Sequence, residues 1–100
     1  MITAIVKATI KPDMHQQIKR VADILQLEYA PHERGCELYE SFIDGDTFIT
    51  IEHWHSQQDL DIHLEAEHVK KYVPQLRECV VDEQFQVTFI NSDDIQKVVI

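Results

Sequence analysis

Residues 52–72 concentrate the side chains of this sequence that could do chemistry. They include Glu52, the only tryptophan, Trp54, and the histidines His63 and His68. The first part of the span is typical of a strand and the rest of a helix, so these groups lie where a strand runs into a helix. A carboxylate can accept a proton, an imidazole titrates near neutral pH, and an indole can form the wall of a pocket. The combination indicates a pocket for an aromatic substrate.

The bulk composition limits the classes of protein that remain. One hundred residues with 44% apolar side chains are enough for a single domain with a core. A formal charge of −9 argues against binding to nucleic acid or to an anionic membrane surface. The sequence has no apolar run of about 20 residues and no signal-peptide pattern, so we expect a cytoplasmic protein. Cys36 and Cys79 form no CxxC motif and are expected to be free thiols.

Hydrophobic periodicity and turn signals predict the elements that must position the chemical groups. These are a strand over 1–10, a helix over 12–30, strands over 36–43 and 47–55, a helix over 56–72, a helical turn from Pro74 and a strand over 80–90. The order β-α-β-β-α-β predicts an α+β fold of the ferredoxin-like, split-βαβ type, with an antiparallel sheet and both helices on one face. The domain is expected to span residues 1–91. Residues 92–100 are expected to form a tail that adds an edge strand or crosses to a partner.

The hairpin turn at Asp44-Gly45 determines which side chains share a face of the sheet. It pairs odd positions of the first strand with even positions of the second. We expect the helices to cover the set that contains Leu38, Ile49, Ile51 and His53. The opposite, uncovered face would then carry Tyr39, Ser41, Phe48, Thr50, Glu52 and Trp54. Such a surface is closed by a second subunit, forms a ligand cavity, or does both; the alternative is a sheet with one wet face.

Several short motifs, taken in order, resemble a known family. They are Lys11-Pro12 after the first strand, Gly35-Cys36-x-x-Tyr39, Glu52-x-Trp54, His63-Leu64 and His68-Val69-Lys70-x-Tyr72. Over residues 1–90 the chain resembles the antibiotic biosynthesis monooxygenase (ABM) domain, and within it most closely the quinol-monooxygenase-like members. The resemblance implies a dimeric α+β barrel, and therefore a homodimer. For the enzymatic branch it also implies oxidation of an electron-rich aromatic by O2 without a metal, flavin or haem cofactor.

The resemblance also implies roles for individual residues. His63 matches the helix histidine of the family and is the candidate catalytic base; the alternative is a histidine that packs helix against sheet. Candidate substrate-binding residues are Tyr39, Thr50, Glu52, Trp54 and His68. Tyr39 and Trp54 could instead serve core or dimer packing, and Glu52 could form an ion pair with Lys7. Thr50 stands where the anthrone-oxidising branch commonly has asparagine.

A metal site and a haem site are the rival interpretations. His53 and His55 form an H-x-H motif to which His63 or His68 could add a ligand. Because His63 and His68 are five residues apart in a predicted helix, we expect them to point in different directions, and we predict no metal site.

Haem-degrading relatives carry an asparagine on the first strand, and residues 5–8 of this chain contain none. The favoured function is therefore a cofactor-independent monooxygenase acting with O2 on a quinol-like or polycyclic aromatic. The alternatives are a non-catalytic dimer, which binds a small aromatic or serves in a stress response, and a haem-binding or haem-degrading protein.

Overall fold

A computed structural model describes all residues, 1–100. The strands are β1 (Ile2–Thr9), β2 (Cys36–Asp44), β3 (Thr47–Trp54) and β4 (Gln86–Asn91). The helices are α1 (His15–Asp23), which continues as a π-helical segment to Tyr29, α2 (Gln57–Leu64) and α3 (Glu67–Arg77). Two short 3-10 turns lie at Ala30–His32 and Val81–Glu83.

The four strands form one antiparallel sheet in the order β2-β3-β1-β4. This is the predicted ferredoxin-like arrangement, in which the first strand lies at the centre and pairs with strands distant in sequence. Ala4 of β1 lies between Glu52 of β3 and Phe89 of β4, which fixes the register across the sheet. The α+β fold class predicted from the sequence is therefore confirmed.

The prediction of which sheet face the helices cover was half wrong. Cross-strand partners share a face, and Glu52 and Thr50 pair with Ala4 and Val6, which lie beneath the helices. The hairpin parity was predicted correctly, but the set that contains Phe48, Thr50, Glu52 and Trp54 faces the helices and is buried. The open face instead carries the other hairpin set, together with β1 residues such as Ile5. The chemical groups therefore lie between sheet and helices.

Helix α1 closes one end of the sheet with a continuous apolar core. Ile18, Val21 and Leu25 recur at three- and four-residue spacing and pack with Phe48 and Leu76. Burying a side chain of this size stabilises a fold by roughly 1.5–3 kcal/mol. The helix begins at His15 and not at residue 12, because Asp13 has a φ of 67°, outside the right-handed helical region. This core holds α3 against α1 and so fixes one wall of the space over the sheet.

The helix predicted over residues 56–72 is two helices. α2 ends at Leu64, and Ala66 has an extended backbone (φ −66°, ψ 143°) before α3 begins at Glu67. The predicted separate turn from Pro74 is also wrong, because Pro74 lies inside α3. The break changes the direction of the chain between His63 and His68, with consequences for the site described below.

The last strand is shorter than predicted. Val80 pairs only with Ile10, and Asp82 and Glu83 have positive φ values of 58° and 52° in the 3-10 turn that precedes β4. Residues 92–100 form no helix or strand, and Ser92 is hydrogen-bonded to Met1. The domain boundary at residue 91 and the role of the tail stay predictions. None of the helices has the length and apolar character needed to cross a membrane.

Candidate functional site

A cavity of about 470 Å³ lies between the inner face of the sheet and helices α2 and α3. Most of its wall is apolar, from side chains of β1, β3, β4, α2 and α3. These include Val6, Phe48, Leu64, Val73, Phe85 and Phe89. A volume of this size and a wall of this composition suit one small ring system, since ligand pockets are commonly apolar with a few placed polar groups.

The polar part of the wall contains four of the six residues predicted from the sequence. Tyr39, Thr50, Glu52 and His63 all border the cavity. The Thr50 hydroxyl lies 3.0 Å from the hydroxyl of Ser41 on the neighbouring strand. The polar side chains come from β2, β3 and α2 and meet at one side of an otherwise apolar space, so a bound ring would be oriented by that side.

His63 is held in a defined orientation by carboxylates on both sides of its ring. Nδ1 lies 2.6 Å from Oε1 of Glu33, and Nε2 lies 3.8 Å from Oε1 of Glu52. The ring is almost fully buried, and its centroid is 4.4 Å from the indole of Trp54. Because an ionised Glu33 can only accept a hydrogen bond, Nδ1 carries the proton and Nε2 keeps a free lone pair. This nitrogen is directed towards Glu52, which like His63 borders the cavity, and it can accept a proton.

Glu52 forms a buried hydrogen bond and not the ion pair with Lys7 considered from the sequence. The indole Nε1 of Trp54 donates to its Oε1 at 2.9 Å, and Lys7 belongs to the open face of the sheet. Burial raises the pKa of Glu52, while the hydrogen bond from Trp54 and the nearby His63 act in the opposite direction. A carboxyl group with a raised pKa at a cavity wall can hold or release a proton closer to neutral pH.

Tyr39 also faces a desolvated, acidic environment. Burial is the largest cause that raises the pKa of its phenol, and the carboxylates of Glu52 and Glu33 add to it. The hydroxyl therefore stays protonated at neutral pH. Its ring meets the ring of His63 edge-on, with centroids 6.1 Å apart. A protonated phenol at the cavity wall can donate a hydrogen bond to an oxygen atom of a ligand.

Trp54 and His68 were predicted to bind substrate, but neither lines the cavity. Trp54 is fully buried behind His63, packed with Ile2 and Leu60. His68 stacks on Tyr29, with ring centroids 4.4 Å apart and an angle of 8° between the rings. Direct contact of either side chain with a substrate stays a prediction. Trp54 acts on the site in another way, by donating its hydrogen bond to the carboxylate that faces His63.

The prediction that His63 and His68 diverge is wrong. The break between α2 and α3 brings both imidazoles to the same carboxylate, and Nε2 of His68 lies 3.1 Å from Oε1 of Glu33. The H-x-H motif does not join them. His53 lies on the open face of the sheet, and the exposed His55 pairs with Glu37 at 3.3 Å.

Glu33 is the functional candidate that the sequence did not reveal. It belongs to the loop before β2, and its position depends on Gly35, which has a φ of +73°. A Cβ at Gly35 would collide with the buried carboxylate of Asp59. That carboxylate accepts from Ser56 and pairs with Arg34, so the loop is fastened to the start of α2. No local pattern distinguishes Glu33 from other loop acids, because its partners lie about 30 residues away.

Two basic residues of α3, Lys70 and Arg77, also border the cavity. Lys70 pairs with Glu65 at 3.1 Å, whereas Arg77 forms no ion pair. In a chain of net charge −9, an unpaired guanidinium at the cavity is a distinct electrostatic feature. It favours a ligand that carries, or develops, negative charge on oxygen.

The fold and the cavity define a ferredoxin-like α+β domain with a buried histidine–carboxylate site beneath its helices. The family model described as antibiotic biosynthesis monooxygenase matches residues 1–75. The chain therefore belongs to the antibiotic biosynthesis monooxygenase family. No curated protein sequence matches it.

Solved structures reproduce the fold over nearly the whole chain. A conserved protein from Methanosarcina mazei Go1 is 24% identical, with 92% of both chains covered and a TM-score of 0.84. A structure described as antibiotic biosynthesis monooxygenase is 26% identical, covers 94% of this chain and 100% of its own, and has a TM-score of 0.82. A protein from Mycobacterium tuberculosis is 21% identical, with 96% and 98% covered and a TM-score of 0.85.

Proposed function

We propose that this protein is a cofactor-independent monooxygenase that oxidises a quinol-like or polycyclic aromatic substrate with O2. The observation that carries the proposal is the orientation of His63. Its Nδ1–H is directed to Glu33, and its free Nε2 faces Glu52 at the wall of an apolar cavity. That arrangement supplies a proton acceptor beside a space suited to a ring.

The first step of the proposed reaction is removal of a proton from the substrate. The substrate bound in the cavity gives the proton of a phenolic hydroxyl or of a benzylic C–H bond to Nε2 of His63. Glu33 stabilises the imidazolium that results. The resulting anion is electron-rich enough to reduce O2 itself. Arg77 and Tyr39 both border the cavity, where a guanidinium and a protonated phenol would stabilise negative charge on oxygen.

The overall reaction balances without an external reductant. When a methylene group flanked by aromatic rings becomes a carbonyl, the substrate gives up four electrons to O2. One oxygen atom enters the substrate as the carbonyl oxygen, and the other leaves as water with the two hydrogens of the methylene. The residues of the protein bind, desolvate and deprotonate the substrate, which is the electron donor.

The homodimer implied by the family resemblance is part of the proposal. The open sheet face is apolar across its centre, where Ile5, Ile49 and Ile51 lie side by side, and Phe42 and Ile90 on the same face are 47% and 45% exposed. A second copy packed on this face would bury these side chains. Sedimentation equilibrium is expected to give a dimer, and Ile51→Lys to give a monomer; a monomeric wild-type protein would contradict this.

Oxygen uptake separates the monooxygenase from a non-catalytic binding protein. Purified protein is assayed without added metal or cofactor against hydroquinones, naphthoquinols and anthrones, with autoxidation subtracted. The proposal predicts uptake above background for at least one class. Quenching of the single tryptophan, Trp54, reports binding separately, because its indole hydrogen-bonds to a carboxylate of the cavity wall. Quenching without uptake across the panel would favour a binding dimer and contradict the enzyme.

A further inference from the structure

Three potential metal ligands converge immediately behind the cavity wall. Oε1 of Glu33 lies 2.6 Å from Nδ1 of His63 and 3.1 Å from Nε2 of His68, and all three donor atoms lie within 4.8 Å of one another. Their side chains are only 11%, 8% and 16% exposed, respectively. Each comes from a different segment: the loop before β2, helix α2 and helix α3. The break between α2 and α3 therefore creates the cluster.

One atom of this cluster lacks a satisfactory partner. Nε2 of His68 is buried and makes no hydrogen bond of acceptable geometry, although it lies close to Glu33. The ring cannot easily turn away to find one, because it stacks flat on Tyr29. A buried nitrogen left without a partner destabilises a fold, so its retention in a fixed orientation calls for another explanation.

We propose that Glu33, His63 and His68 form a binding site for one divalent transition-metal ion of the Zn2+ type. Two imidazoles and one carboxylate are the ligands that Zn2+, Co2+ and Ni2+ accept. Bonds of about 2.1 Å in a tetrahedral arrangement place donor atoms roughly 3.4 Å apart. The distances from Oε1 of Glu33 to the two ring nitrogens, 2.6 and 3.1 Å, are shorter than this value, and the two nitrogens lie within 4.8 Å of each other. Small side-chain shifts would therefore bring the three donors into place.

The surroundings of the cluster match those of a metal-bound histidine. Such a histidine usually directs its second ring nitrogen to a carboxylate. Nε2 of His63, the nitrogen not offered to the metal, lies 3.8 Å from Oε1 of Glu52. Glu52 is itself held by the indole of Trp54. The site thus has two imidazoles, a carboxylate ligand and an outer carboxylate, all in the buried part of the molecule.

Metal binding and the proposed base function are mutually exclusive at His63; this consequence rests on the proposed function. In the metal-free protein, Nδ1 carries the proton and Nε2 is free to accept another. A metal ion bound to the lone pair of Nδ1 requires the other tautomer, in which the single proton of the neutral ring has moved from Nδ1 to Nε2. Nε2 can no longer accept a proton from a ligand in the cavity. Zinc is therefore expected to inhibit oxygenation reversibly.

The binding test uses the full-length protein after treatment with a chelator and desalting. Isothermal titration with Zn2+, and the visible absorption of Co2+, are expected to show one ion per chain. Glu33→Gln and His68→Asn are expected to weaken binding at least about tenfold, since even outer-sphere partners of metal ligands contribute that much. Glu33→Gln keeps the size of the side chain, and circular dichroism checks the fold of each variant.

His55→Gln is the matched control. It removes a histidine that also pairs with a glutamate, Glu37, but at the surface and without a third ligand. The control is expected to bind zinc as the wild type does. Absence of binding at millimolar metal, or equal binding by the wild type, Glu33→Gln and His68→Asn, would overturn the site. Equal binding would instead indicate weak association with surface histidines.

The inhibition test is read separately from the binding test. With an active substrate, Zn2+ is expected to abolish oxygen uptake and a chelator to restore it. If zinc binds at the cluster and uptake continues unchanged, the exclusivity at His63 is wrong. If no substrate supports uptake, the proposed function fails, and the binding experiment still decides whether the metal site exists.

Discussion

Gly35 and Gly45 allow a direct comparison of how much an added side chain lowers the free energy of unfolding at two turns. Both glycines have a positive φ, +73° and +58°, which an L-residue adopts at a cost of about 1–2 kcal/mol. A Cβ at Gly45 meets nothing within 4 Å, whereas a Cβ at Gly35 collides with the buried carboxylate of Asp59. Gly35→Ala and Gly45→Ala therefore share the backbone cost and differ in the collision.

The additional cost at Gly35 follows from what Asp59 does. Its carboxylate accepts from the hydroxyl of Ser56, its amide is capped by that hydroxyl, and it pairs with Arg34. Moving it loses a helix cap, about 1 kcal/mol, and disturbs a buried charge, about 1–3 kcal/mol. We expect Gly45→Ala to destabilise the protein by about 1–2 kcal/mol and Gly35→Ala by about 3–6 kcal/mol.

Urea unfolding monitored by circular dichroism measures the free energy of unfolding of both variants. The larger loss corresponds to a fall in Tm of at least about 12 °C for a domain of this size. Gly35→Ala is also expected to reduce any activity, because the loop that it displaces carries Glu33. If Gly35→Ala is no more destabilising than Gly45→Ala, the close packing of this loop on α2 is wrong, and with it the support assigned to Glu33.

Two further predictions concern buried ionisable groups. Glu52→Gln should stabilise the protein at neutral pH. Burial raises the pKa of Glu52, so the folded protein loses stability as pH rises from the unfolded-state pKa of this carboxyl group to its folded-state pKa. Glutamine carries no charge to bury and can still accept the hydrogen bond from Trp54. The gain, measured by urea unfolding, should shrink as pH falls from the raised pKa of the folded protein towards about 4.5, the unfolded-state pKa of the carboxyl group, and should be lost below it; a gain independent of pH would contradict the burial argument. Cys36 should react slowly with iodoacetamide at pH 8 and quickly in urea, because burial raises the pKa of its thiol to about 12, and the carboxylates of Glu33 and Glu52 add to this effect. Reaction at the rate of a free cysteine in the folded protein would count against that environment.

The fold could be predicted from the sequence because its signals are local. Alternation in β1, the hairpin at Asp44-Gly45 and the periodicity of α1 each depend on neighbouring residues. The face of the sheet that the helices cover is not a local property. Ile49 and Ile51 on the open face are as apolar as residues beneath the helices, so hydrophobicity did not separate the two sets.

The candidate site was predictable only in part for the same reason. His63, Glu52 and Tyr39 stand out by residue type and motif, and the structure places them together. Glu33 does not, because its role depends on contacts with α2 and α3 made far along the chain. The proximity of His68 depends on a helix break at Ala66, where alanine gives no local stop signal.

In the proposed reaction, Nε2 of His63 takes the proton of the substrate. The most direct measurement is the rate of oxygen uptake by His63→Gln, with His55→Gln as the control, on the best substrate of the panel and with autoxidation subtracted. Loss of a general base lowers a rate by about 10²–10⁴. We expect the rate to fall at least about 100-fold for folded His63→Gln and to be unchanged for His55→Gln. Full activity of a folded His63→Gln variant would contradict it.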